Sequence, residues 1–96
     1  MENINETVIN ESENPNTITL DTPVLRGEQK IEKVTVAKPN AGTLRGVSLA
    51  SLAQSDVDAL IKVLPRVTAP SLTEHEVAAL ELPDLVALAG KVIGFL

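Results

Sequence analysis

The chain has 96 residues, a length that fits one small domain, and carries a net charge of −5. It contains no Cys, Trp or Tyr and one Phe, which excludes a disulfide framework and thiolate metal sites and removes the usual anchors of base stacking and binding hot spots. The acidic balance argues against nucleic-acid binding, which needs a clustered basic face. The N-terminus lacks the basic and apolar regions of a signal peptide, and no apolar stretch reaches about 18 residues, so we expect a cytoplasmic protein.

Residues 1–16 are rich in Asn and Glu, with four Glu and no Lys or Arg. Such a segment cannot bury enough apolar surface to offset its chain entropy, so it is predicted to be a disordered acidic arm. A binding arm that orders on a partner is the alternative, and a solvating extension is the favoured interpretation. Residues 17–96 are predicted to form a single small domain.

Residues 17–38 are predicted to form a β-ribbon, because their apolar residues alternate. Pro23 indicates an edge or a turn, and Gly27 marks the reversal between the two strands. The apolar phase slips between Ile31 and Val34, which indicates a bulge. A two-stranded ribbon is marginal alone, so it must pack on helices or gain a strand from a partner.

The segment 39-PNAGTLRG-46 resembles a phosphate-binding loop at first sight. It lacks the Gly-Lys-Ser/Thr of a Walker loop and the spacing of Gly-x-Gly-x-x-Gly. We therefore interpret it as the joint between the ribbon and the helical part, without a ligand.

Residues 39–96 are predicted to form three or four short helices, which gives an α+β fold. Ser55 with Asp58, and Thr73 with Glu76, have the spacing of capping boxes. Pro65 argues against a helix continuing straight, and Pro83 suits a first helical position. Apolar stripes follow the helical period in two segments: Val57, Leu60, Ile61 and Leu64, then Leu85, Leu88, Ala89, Val92 and Leu96.

Catalytic and metal-binding residues are sparse. His75 is the one histidine, which falls far short of a zinc site, and we expect it to be an exposed residue of a first helical turn. Asp56 and Asp58 are two residues apart and do not face each other on a helix. The serines lack a nucleophile motif. We expect no enzyme, no cofactor and no metal.

The order of the motifs resembles a known family. V-T-V-x-K-P is followed by G-T-L-R-G-V, then D-V-D-A-L-I-K-V-L-P-R-x-T, then L-x-L-P-D-L-V-A-L-A-G-K-V-I-G-F-L. Across residues 17–96 this is similar to the small tail assembly chaperones of contractile-tailed, Mu-like and related phages and prophages.

The resemblance implies a non-enzymatic chaperone that binds and solubilises the helical, apolar tape measure protein before the tail tube polymerises. It also implies residence in the host bacterial cytoplasm and absence from the mature virion. Family members are commonly made in two forms by ribosomal frameshifting. Gly94-Phe95-Leu96 can be encoded with the slippery run T TTT TTG, so Phe95 and Leu96 are the hypothesised slip site, and the frameshift-extended form is a candidate partner.

The candidate partner-binding residues are Leu60, Ile61, Leu88 and Val92, chosen from the two apolar stripes, some of which must be core. A thin core and an unfinished ribbon also make self-association an expectation. A structural tail or baseplate component retained in the virion is the main alternative. A small DNA-binding regulator is a further alternative, disfavoured by the six acids of residues 46–96.

Overall fold

A computed structural model describes residues 15–96. The predicted arm, residues 1–16, lies outside the described residues except for Pro15 and Asn16. A three-stranded antiparallel sheet and four short helices confirm the predicted α+β class. In chain order the elements are β1 (Thr17–Arg26), β2 (Gln29–Val36), α1 (Leu49–Ala53), α2 (Val57–Val67), β3 (Thr68–Ala69), α3 (Glu74–Ala78) and α4 (Leu82–Gly94).

The sheet has the strand order β1-β2-β3. Strands β1 and β2 form a hairpin that reverses at Gly27, whose φ of +62° is a conformation that favours glycine. Strand β3 follows α2 directly and pairs with the end of β2, Thr35 with Ala69 and Val36 with Thr68. The third strand that the ribbon needs therefore comes from the same chain.

The predicted irregularity is present in the sheet, but its extra residues lie in β1. Thr19 pairs with Lys33 and Val24 pairs with Ile31, so four residues of β1 stand opposite one residue of β2. This shift changes the phase of the hairpin, which explains why Ile31 and Val34 are both buried although they are three positions apart.

The joint predicted from the Gly-rich segment is confirmed. Residues 37–48 are turns and irregular chain between β2 and α1. One Arg66 nitrogen, Nη1, donates hydrogen bonds to the backbone oxygens of Thr43 and Arg45, both at 2.9 Å. The segment is thus held against α2 by a side chain of the protein itself.

The Thr73–Glu76 capping box is confirmed. The Glu76 N–H donates to Thr73 Oγ1 and the Thr73 N–H donates to Glu76 Oε1, both at 3.0 Å. The Ser55–Asp58 box is wrong, because Asp56 is the N-cap of α2 and its carboxylate accepts from the Asp58 N–H at 2.9 Å. Ser55 lies before the helix with a φ of +62°.

Helix α2 continues through Pro65 to Val67, contrary to the expected break. The proline lies near the C-terminal end, where its missing N–H removes a single helical hydrogen bond. The Thr68 hydroxyl donates to the Leu64 carbonyl at 2.8 Å and accepts from the Leu72 N–H at 3.0 Å, which secures the end of the helix.

The core is aliphatic and lies between the sheet and the helices. The fully covered side chains of the core come from β2, α1, α2, α3, α4 and the segment before α3: Leu52, Leu60, Leu64, Leu72, Leu88, Val34, Val36, Val63, Val77 and Val92.

No helix within residues 15–96 combines the length and hydropathy that a membrane crossing needs.

Candidate partner-binding groove

Helices α2 and α4 border an apolar groove of about 270 Å³. Val57 and Leu60 line it from α2, and Leu82, Val86 and Ile93 are among the α4 residues that line it. Leu82 is 69% exposed, Val86 66% and Val57 50%. Single exposed apolar side chains are ordinary, but a contiguous group around a concavity marks an interaction surface.

The groove exists because α4 has two apolar faces. Leu85, Leu88 and Val92 turn one face into the core. Leu82 and Val86 are one helical turn apart on a second face that α2 only partly covers. The second face is therefore available to another helix.

Small residues keep the groove open. Ala89 and Gly90 both line it. A Cβ atom added at Gly90 would have no heavy atom within 4 Å, so the space above this glycine is empty. A large apolar side chain from a partner has room at this point.

Asp84 fixes the direction in which α4 presents this face. Its side chain is buried at 2% exposure and accepts backbone hydrogen bonds from Asp21 at 2.7 Å and Thr22 at 3.1 Å. These bonds join the first turn of α4 to the irregular part of β1. The core face and the groove face of α4 then have a defined orientation.

A second cavity, of about 320 Å³, lies between β1 and α3. Beside it, Arg26 donates to both carboxylate oxygens of Glu76, from Nη2 at 2.6 Å and from Nε at 3.0 Å. The hydrogen bonds from Arg26, and then that from the Thr73 N–H, lower the pKa of Glu76 to about 2. The Glu76 carboxylate therefore links α3 to β1 through its hydrogen bonds with Arg26.

The described residues contain no group of three His, Asp or Glu side chains placed to hold a metal ion. His75 is exposed in the first turn of α3, as the sequence predicts. Within residues 15–96 every buried side-chain nitrogen and oxygen has a hydrogen-bond partner. The apolar lining of the α2–α4 groove, and not a polar cluster, is the surface that suits a binding partner.

Residues 17–96 match the family model described as phage tail assembly chaperone proteins, E, or 41 or 14. The chain belongs to this family. It is also 80% identical over 81 residues to tail assembly protein E of Escherichia phage P2, a match that covers 84% of this chain and 89% of that protein. No solved structure matches the chain.

Tail assembly protein E' of the same phage also matches this chaperone-family chain at 80% identity over 81 residues. The match covers 57% of protein E' against 89% of protein E. The chain therefore spans little more than half of the longer relative, which has a substantial segment outside the shared part.

The four predicted contact residues occupy different environments in this chaperone-family fold. Leu60 is 1% exposed and forms part of the groove floor. Ile61 is half-buried against the core, and Leu88 and Val92 are fully buried within it. Leu88 and Val92 are 0% exposed in the single chain, and the exposed apolar residues of α4 lie on the neighbouring face. Contact of the four residues with a partner stays a prediction.

Leu82, Val86 and Ile93 are the groove residues that the sequence reasoning missed. The stripe through Leu85 and Leu88 accounts for the core face of α4, so the core alone does not require a second stripe. The signal is present in the sequence, because these three residues follow one another at spacings of four and seven. Two apolar stripes on one short helix indicate that it packs on both sides.

Proposed function

We propose that this phage tail assembly chaperone uses the α2–α4 groove to bury an apolar helical face of the tape measure protein before the tail tube polymerises. The family match and the two tail assembly proteins of phage P2 support the assembly role. The exposed apolar face of α4 is the observation that carries the proposed contact.

The groove fits a helix in size and chemistry. Its α4 wall runs from Leu82 to Ile93, which is about 16 Å at the rise of an α-helix. Ser55 is the one polar residue of the lining. A client helix with apolar residues at i, i+3 or i+4, and i+7 would bury that stripe along three turns.

Reversibility follows from the composition of the groove. The lining offers aliphatic contacts without a charged anchor. Complexes that lack a buried aromatic or Arg hot spot are weaker for their area. A client held in this way can be released when the tail tube replaces the chaperone.

The decisive experiment fills the groove without disturbing the core. Gly90→Leu places a large side chain in the empty space of the groove, and Gly94→Leu adds the same side chain where nothing lies within 4 Å but outside the lining. We expect the tape measure protein to stay soluble when co-expressed with Gly94→Leu and to become insoluble when co-expressed with Gly90→Leu.

Circular dichroism of both variants verifies that they are folded. Equal client solubility with both variants would refute the groove as the binding surface. Equal loss with both folded variants would show that the contact extends beyond the lining to the end of α4.

Residence in the host cytoplasm and absence from the mature virion belong to the same proposal. A chaperone that the tail tube displaces leaves no copy in the particle. Mass spectrometry of purified phage is expected to find the tape measure protein and not this chain. Detection of this chain at a fixed copy number would favour a retained structural component.

A longer product of the gene is also proposed. Phage P2 protein E' supports it, since its 81 matched residues make up 57% of its length and the protein extends beyond them. The gene sequence tests the slip site at Phe95 and Leu96: an uninterrupted T run is expected, with an overlapping frame downstream. Codons that break the run would remove this slip site.

A further inference from the structure

The groove face of α4 has the spacing of a coiled-coil seam. Its successive members are four, three, four and three positions apart along the chain: Leu82, Val86, Ala89, Ile93 and Leu96. Leu82, Val86 and Leu96 are 69%, 66% and 51% exposed, and Ala89 between them is 4% exposed where it lines the groove. Leu96 continues the last turn, because its N–H donates to the Ile93 carbonyl at 3.0 Å. This heptad spacing favours a partner helix that lies along α4 at a small crossing angle.

The seam is also symmetric about its centre. Leu82 and Leu96 are the outer residues, Val86 and Ile93 the next pair inward, and Ala89 is the central, small one, with Gly90 beside it. Reversing the direction of the helix gives nearly the same series of side-chain sizes. A two-fold interface needs this property, because residue i must fit residue j and j must fit i.

Charges on α4 favour an antiparallel partner of the same sequence. The exposed Glu81 stands at the N-terminal end of the helix, and Lys91 stands in its last turn. A parallel copy would place like charges and like ends of the helix dipole together. An antiparallel copy brings the acidic end of one helix to the basic end of the other, which is also the favourable arrangement of the dipoles.

We propose that two copies of the chain pack their α4 helices antiparallel across this seam, in a two-fold dimer centred on Ala89 and Gly90. The dimer covers the apolar face in the absence of a client. On the proposed function, the tape measure helix takes the place of the second copy. The client-free chaperone is thus stored with its binding face buried.

Cysteine cross-linking tests the geometry, because the natural chain has no Cys. Gly90→Cys lies beside the two-fold axis and is expected to form a disulfide-linked dimer under mild oxidation. Leu82→Cys alone is expected to stay uncross-linked. In the antiparallel dimer, position 82 of one copy lies opposite position 96 of the other, so the two copies of position 82 are about 21 Å apart along the helices. A mixture of Leu82→Cys and Leu96→Cys is expected to cross-link. Leu49→Cys, which is 60% exposed on α1, controls for random collision.

Self-cross-linking of Leu82→Cys above the level of the Leu49→Cys control would show a parallel or unrelated contact and overturn the proposal. The same conclusion follows if Gly90→Cys gives no more dimer than that control.

Sedimentation of the untagged chain tests the association itself. The natural chain is expected to be dimeric, and Val86→Asp to raise the dimer dissociation constant at least tenfold. Leu25→Asp, at a 72% exposed position on β1, is expected to leave it unchanged. A monomeric natural chain over the whole concentration range, or equal effects of the two variants, would overturn the dimer. These measurements use no client, so they stand or fall separately from the Gly90→Leu solubility experiment.

Adding the tape measure protein then tests the shared face. Bound client is expected to suppress the Gly90→Cys cross-link. Undiminished cross-linking in a complex that contains the client would show that dimer and client use different surfaces.

Discussion

The buried carboxylate of Asp84 accepts a hydrogen bond from the backbone N–H of Asp21 at 2.7 Å, and a second from the next residue, Thr22, at 3.1 Å. Asp21 in β1 and Asp84 in α4 are 63 positions apart in the sequence. In this way one side chain stabilises the irregular part of β1 and sets the orientation of α4. The exposed groove face of α4 depends on that orientation.

Asp84→Ala is expected to lower the free energy of unfolding by about 2–3 kcal/mol, because it removes hydrogen bonds to a charged acceptor and leaves two strand N–H groups without their partner. Urea unfolding followed by circular dichroism measures the change. Asp58→Ala is the matched control, since Asp58 is also a first-turn acid but is exposed. Its loss is expected to be about 0.5 kcal/mol, from the helix dipole alone. Equal losses would mean that Asp84 acts through the dipole and not through β1.

The predictable parts of the fold were local in sequence. The Thr73–Glu76 box requires two residues three positions apart, and the reversal at Gly27 requires one residue. The partners of Asp84 could not be predicted, because a first-turn Asp already has a sufficient local explanation in the helix dipole. When a local role already accounts for a residue, the sequence alone does not indicate that it also contacts a distant part of the chain.

The exposed face of α4 could not be predicted from its periodicity alone. The periodicity of α4 placed Leu88 and Val92 on an apolar face, and the structure shows that this face is core. Which of two apolar stripes turns inward depends on tertiary contacts, among them the hydrogen bonds that join Asp84 of α4 to β1. Apolar spacing identifies the faces of a helix, while tertiary contacts decide which one remains exposed.

The Arg26–Glu76 pair predicts a specific pH dependence. Since the pKa of Glu76 falls from 4.5 to about 2 on folding, the unfolded chain binds this proton more readily. The stabilisation is therefore fully present above pH 4.5 and is lost as the pH falls towards 2. Glu76→Gln is expected to show a shallower decline of melting temperature across that interval than the natural chain.

Glu74→Gln is the control for this pH experiment. Glu74 also lies in the first turn of α3, but it is exposed, and the described residues show no hydrogen bond or ion pair of its side chain. Its variant is expected to follow the natural chain through the acid range. If the two variants decline alike, the acid sensitivity comes from the overall acidic charge and not from the ion pair.

The start of α2 offers a test of the corrected cap. Asp56→Ala is expected to cost about 1 kcal/mol, because the cap bond to the Asp58 N–H is lost. Ser55→Gly is expected to be neutral or to stabilise by up to about 1 kcal/mol, since Ser55 has a φ of +62°. Thermal unfolding of the two variants measures both changes and shows which of Asp56 and Ser55 caps α2. A larger loss for Ser55→Gly than for Asp56→Ala would restore Ser55 as the cap.

Two glycine-to-alanine changes are expected to have opposite signs. Gly90 lies inside α4 with open space around the added methyl group, so Gly90→Ala is expected to raise the free energy of unfolding by about 1 kcal/mol through helix propensity. Gly27 also has open space, but its φ is +62°, and Gly27→Ala is expected to cost about 1 kcal/mol through backbone strain alone. Urea unfolding of both variants measures the pair. Because neither methyl group meets another atom within the chain, a change of the same sign at both positions would contradict this explanation.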